Sequence, residues 1–223
     1  MRAKSLIVIF ILVGLSLEGW AQQLPVKELI STDELLDWPM WGKGEVGKWG
    51  DQLFLRETPG TKGVMLVSPK SYGNQIILRY HVLALTPATV LVAMLSVSDP
   101  GTSESLNIPE TYGGGMTLWS QKTDNYFFAF KNASHGLTPF VRHHPAKGIL
   151  AKASENVMIA GVYYEVEVGR DRNRLWLAID GKKMFEYVDQ DPPVGGHVAL
   201  RIRGTAGFAA GCMIKNLQII SAN

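Results

Sequence analysis

The chain of 223 residues contains a single cysteine, Cys212. No disulfide can form within it, and no Cys/His pattern has the spacing of a zinc site. A domain of this length can bury a core large enough to dispense with cross-links. Cys212 lies in an apolar run, where a thiol acts as a small buried hydrophobe and not as a nucleophile. Charge is also sparse and balanced: 22 Lys and Arg stand against 20 Asp and Glu, a formal net charge of +2. That balance carries no electrostatic footprint for nucleic acid or an anionic membrane surface. Internal repeats, low-complexity tracts and blocks of like charge are missing, and no long segment has a 3.6-residue period. The apolar run at residues 6–17 is too short for a membrane-crossing helix. With Arg2 and Lys4 before it and Gly19-Trp20-Ala21 after it, the run predicts a secretory signal over residues 1–21, cleaved after Ala21. No cysteine follows that point, which argues against a lipid anchor. Residues 22–223 are then expected to form one periplasmic or secreted domain, since no linker interrupts them. Loss of Arg2, Lys4 and Glu18 would leave 20 basic and 19 acidic residues, a net charge of +1.

What the chain does contain is strand signal. Residues 162–189, VYYEVEVGRDRNRLWLAIDGKKMFEYVD, read most clearly. Tyr163 to Val168 alternates apolar residues with Glu, 169–173 is a polar break, 174–179 is apolar, and Asp180-Gly181 turns the chain into 184–188. Asp-Gly between such runs is a hairpin signal, because a type I′ turn needs φ > 0 at both central positions. Trp176, alternating with Ala178, is assigned to the core. Strand-like runs follow at 197–203 and 212–220. Earlier, Ser31 or Thr32 caps a short lead-in helix, with Glu34 placed for a capping box. Residues 37–51, with three Trp and four Gly, read as a glycine-rich loop pinned by aromatic side chains. Strands are expected at 53–57, 64–68, 75–85 and 89–97, then a long loop over 98–115 of the kind that is usually functional or mobile. Residues 116–121 and 125–132 read as a strand pair, and shorter strands follow at 137–144 and 148–153. About a dozen strands at this spacing form an all-β sandwich.

Three stretches resemble the concanavalin A-like lectin/glucanase superfamily: the strand at 75–85 with its apolar successor; the block 124–151 with FVRHHPAKGILAKA; and the ending from residue 163 to GGHVALRIRGTAGFAAGCMIKNLQI. Within that superfamily the chain is similar to bacterial domains associated with rhamnogalacturonan-type polysaccharide utilisation and to 3-keto-disaccharide hydrolase domains. The resemblance implies a jelly-roll sandwich of two curved antiparallel sheets, with the last strand beside the N-terminal one and a polysaccharide or oligosaccharide bound on the concave sheet. The acidic run E-x-D-x-x-E of laminarinase-type members is missing, since Glu165-Val-Glu167 has no third acid, and no loop clusters Asp and Asn for a metal. No cofactor and no metal are therefore expected.

Chemistry, if present, is expected from His, Arg and Tyr. On the strand 137–144, Arg142 and His144 share one face and His143 takes the other. Arg can pair a uronate carboxylate in bidentate fashion while His or Tyr moves a proton. The catalytic candidates are His144, His81, Tyr126 and Arg142, and the ligand-binding candidates are Arg79, Asn132, Trp119 and His143. Arg79 and His81 share a face of the strand 75–85. Trp38, Trp41, Trp49 and Trp119 can each stack on a pyranose or serve as core. These residues leave three functions open: a carbohydrate-binding module in polysaccharide degradation, a lyase or glycoside hydrolase, and a structural envelope protein without a small ligand.

Overall fold

A computed structural model of the protein describes residues 25–132, 136–145 and 148–222. The expected signal at 1–21 lies outside the described residues. In chain order the elements are β1 (Val26–Ile30), α1 (Thr32–Leu36), β2 (Met40–Gly42), β3 (Gly44–Trp49), β4 (Gln52–Glu57), β5 (Val64–Tyr72), β6 (Gln75–Ala84), β7 (Val90–Ser98), α2 (Thr117–Gln121), β8 (Asp124–Lys131), β9 (Phe140–His144), β10 (Ile149–Lys152), β11 (Tyr163–Asp171), β12 (Arg174–Ile179), β13 (Lys182–Val188), β14 (Gly196–Arg203) and β15 (Gly211–Ser221). They form two antiparallel sheets. One has eight strands in the order β13-β12-β11-β6-β15-β4-β3, with β1 also paired to β15; the other has seven, β10-β9-β8-β7-β14-β5-β2. The all-β jelly-roll sandwich expected from the sequence is the observed architecture, and the last strand does lie beside the first.

Alternation positions the layers. On β6, Ile76, Leu78, Tyr80 and Val82 point inward and are buried, whereas Arg79 and His81 point away from the core. On β8, Tyr126, Phe128 and Phe130 enter the same core from the opposite sheet. Cys212 is buried with them, and burial pushes its thiol up to about 12. The Asp180-Gly181 turn has φ of 48° and 73°, as the hairpin requires. Ser31 caps α1, and its hydroxyl and the Glu34 carboxylate satisfy each other's backbone N–H groups in a capping box.

The two sheets differ on their outer faces. The seven-stranded sheet is apolar on both sides: Met65, Val92, Met94, Phe127 and Ala199 face outward and are covered by residues from the 98–123 segment, including Leu106, Ile108, Tyr112 and Trp119. The eight-stranded sheet has no such cover among the described residues. Its outer face is the open one.

Four local expectations are corrected. Residues 116–121 form no strand; Met116 stands at the N-cap of the helix α2 and Trp119 within it, and the Ser120 N–H donates to Met116 O at 2.9 Å. Residues 37–51 are no loop but contain β2 and β3; Gly44 serves strand packing, since a Cβ there would meet Arg56 O at 2.4 Å. The break at 169–173 shrinks to Arg172-Asn173, with β11 running through Gly169 and Arg170 to Asp171. Trp176 is not in the core: it is half-buried on the outer face of the eight-stranded sheet, opposite Gly169.

Candidate functional site

The sequence candidates divide among three places. Tyr126 and His143 project from adjacent strands into the interior, where Asp189 joins them. The Tyr126 hydroxyl donates to Asp189 Oδ2 at 2.9 Å, and His143 Nδ1 lies 2.7 Å from the same oxygen. All three are buried. Burial pushes the Asp189 carboxyl up, but the Asp191 N–H, the Tyr126 hydroxyl and His143 outweigh it and hold the group below its ordinary range. Burial, with the Asp189 charge, raises the Tyr126 phenol well above its usual range. Arg170 closes the cluster: its guanidinium lies 5.4 Å from the Tyr126 ring centre and donates to Ser96 Oγ, Arg172 O and Pro193 O. Neither Arg170 nor Asp189 is a candidate from the sequence: Arg170 lies in the stretch that reads as a polar break, and Asp189 only closes the last strand run of 162–189.

His144 and Arg142 take the opposite face of β9, on the outside of the seven-stranded sheet. His144 meets Phe127 edge-on, with ring centres 5.9 Å apart. Burial lowers its pKa to about 4, with help from the charges of Arg142 and His143. Arg142 lies over the Phe140 ring at 5.4 Å. Trp119 is wholly buried under the 98–123 segment, its indole N–H donating to the Tyr112 hydroxyl. Asn132 is buried at the end of β8. Arg142 and His144 thus share a face as expected, but they are separated from Tyr126 and His143 by the sheet itself.

Arg79 and His81 lie on the other layer, on the open face. Cross-strand register sets Glu167 beside Arg79 and Gln218 on its other flank, and sets Glu165 and Lys215 on either side of His81. Arg79 donates through Nε to Glu167 Oε2 at 2.8 Å and through Nη2 to the same oxygen. The Trp176 indole N–H donates to Glu167 Oε1 at 2.7 Å. Both carboxylate oxygens of Glu167 are therefore engaged, and the indole is fixed by its edge.

Gly169 fixes the same indole from below. A Cβ at residue 169 would fall 2.0 Å from Trp176 Cζ2 and 2.1 Å from Cε2, so the ring lies against the bare backbone. Only glycine permits this approach. The result is an aromatic platform held by β11 underneath and by an Arg–Glu pair at its side. Farther along the same face, the Tyr163 hydroxyl donates to Gln52 Oε1, and Lys215 Nζ stands 4.3 Å from the Tyr163 ring centre. Trp49, the register partner of Gln52, is 75% exposed at the tip of the β3–β4 hairpin.

Among the described residues, no three His, Cys, Asp or Glu side chains gather in a way that could hold a metal ion. No protein-family model and no curated protein matches the sequence. Solved structures do match in shape. A Bacillus subtilis protein of unknown function with a galectin-like fold superposes with a TM-score of 0.74 at 15% identity, over 91% of this chain and 99% of that one. A β-1,3-1,4-glucanase (lichenase) from a mouse hindgut metagenome gives 0.58 at 11% identity, over 90% of this chain and 100% of that one. The carbohydrate-binding module CBM66 from Bacillus subtilis gives 0.54 at 10% identity, over 86% and 94%. At such identities the likeness is one of fold: a galectin-like sandwich of two antiparallel sheets.

Proposed function

We propose that the protein is an exported glycan-binding module of polysaccharide degradation, and that it holds its ligand on the open face of the eight-stranded sheet. The observation that carries this reading is the Trp176 platform. An indole pinned against Gly169 and tied to the Glu167–Arg79 pair presents a rigid apolar surface, partly exposed, of the kind that stacks on the C–H face of a pyranose. Names among the fold neighbours, a carbohydrate-binding module and a glucanase, agree with this reading.

The geometry favours binding over turnover. Tyr126 and His143 lie inside the sandwich, where a polymer has no access. Glu167, the carboxylate nearest the platform, has both oxygens occupied by hydrogen bonds. The Arg79 fork faces that carboxylate and is not free to take a uronate.

Two substitutions test the reading. Trp176→Ala should weaken binding of a soluble polysaccharide in affinity electrophoresis at least tenfold, about 1.4 kcal/mol. Gly169→Ala should do the same with Trp176 intact, because its methyl group displaces the indole. Wild-type retardation in both variants would refute the platform, and new unsaturated ends, read by ultraviolet absorbance, would establish a lyase instead.

A further inference from the structure

A groove of about 790 Å³ continues the Trp176–Glu167–Arg79 row past β6. Its origin is a bulge in β15. Residues 211–214 of β15 pair with β4, residues 217–221 pair with β1, and Asn216 between them takes φ of 55°. The two partner strands separate at the bulge, and α1 and the β3–β4 turn form the far wall. Lys48 and Gly50, on either side of the exposed Trp49, line the groove, as do His81 and Gln218.

His81 and Gln218 each leave a polar atom buried without a partner, Nδ1 of His81 and Oε1 of Gln218. Leaving such an atom unsatisfied is costly, and both side chains line the groove, so a rotation that brings either atom to a hydroxyl there is favourable. The charges here are already matched. Lys48 Nζ lies 2.6 Å from Asp33 Oδ1, and Arg79 is paired to Glu167. Counting Lys215, Glu165 and Asp51 as well, three cations face four carboxylates around the groove and the adjoining row. An anionic ligand would meet net repulsion and no open guanidinium fork.

We infer that this groove is a subsite for an uncharged sugar residue, whose hydroxyls bond His81 and Gln218, and that the protein therefore selects neutral glycans over polyuronates. The inference rests on the glycan-binding reading above. Hydroxyls both donate and accept, which suits an amide and an imidazole that line one groove. Trp49, between the groove-lining Lys48 and Gly50, offers a second ring on the same face, five strands across the sheet from the first.

The test is affinity electrophoresis of the purified protein in gels containing β-1,3-1,4-glucan, arabinan, galactan or xylan, and in gels containing polygalacturonate or alginate. Retardation by at least one neutral polymer and by neither polyuronate is expected. His81→Phe and Gln218→Leu should each weaken the neutral interaction at least tenfold. His81→Phe should also raise the melting temperature of the ligand-free protein, since it removes an unsatisfied buried atom; a merely structural histidine would give the opposite shift. If Trp176→Ala abolishes binding while both groove variants bind as wild type, the subsite is overturned and the platform stands. Salt-sensitive retardation by a polyuronate overturns the selectivity, and no retardation by any polymer overturns both proposals.

Discussion

His144 shows how strongly burial alone can set a residue's charge. It sits on an apolar sheet face against Phe127, with Arg142 two positions away on the same side of β9. Its imidazole stays neutral in the folded protein down to about pH 4, whereas the ordinary value is 6.5. Between those two values the unfolded chain binds the proton and the folded chain does not. Stability is therefore complete above about pH 6.5 and falls as the pH drops towards 4, by roughly 2–3 kcal/mol from this residue. Asp189, whose pKa is lowered, contributes stability of another window, lost only once the pH falls through the carboxylate range. Urea midpoints of wild type and His144→Leu at pH 7 and pH 4.5 separate the two: the variant should show a clearly smaller loss on acidification. An equal loss would assign the acid sensitivity elsewhere. None of this could be read from Arg142-His143-His144 in the sequence beyond the alternation of faces, because the apolar cover on that face comes from residues some 25 to 40 positions earlier.

At the scale of elements, the strand signals were legible wherever alternation ran uninterrupted, as on β6 and along β11 to Val168. They failed where glycine or a polar pair was read as a break. Gly169 belongs to β11, and its partner across the two-residue turn at Arg172-Asn173 is Trp176. A break at 169–173 hides the bare position opposite the indole, and the alternation of Trp176 with Ala178 does not say which face of β12 is the inner one. The same weakness hid α2, because Met116, Leu118 and Trp119 satisfy a short strand template almost as well as a helix. That helix has a defined task. Trp119 fills the layer between the 98–123 segment and the outward apolar face of β7, β8 and β9. Trp119→Ala should cost about 3–5 kcal/mol and expose that face, giving a lower melting temperature and increased binding of a hydrophobic dye, without altering glycan affinity. Loss of affinity at unchanged stability would place the ligand on the seven-stranded sheet instead.

The whole molecule is asymmetric across its two layers. One sheet is buried on both sides and is held by apolar packing and by the Tyr126–Asp189–His143 cluster within. The other presents paired charges, a pinned indole and a groove with two unsatisfied polar atoms. The sandwich architecture was legible from composition and strand spacing, but the assignment of faces was not, since it depends on which sheet the 98–123 segment covers. The candidates drawn from the sequence were consequently spread over both layers and the interior. Of these, Arg79 and His81 lie on the open face, beside the groove and the platform. The indole N–H resonances of Trp38, Trp41, Trp49, Trp119 and Trp176 report on every surface at once. Titration of the isotopically labelled protein with a soluble neutral oligosaccharide should shift Trp176 and Trp49 and leave Trp38 and Trp119 in place; shifts confined to Trp41 or Trp119, or none at all, would contradict binding on the open face.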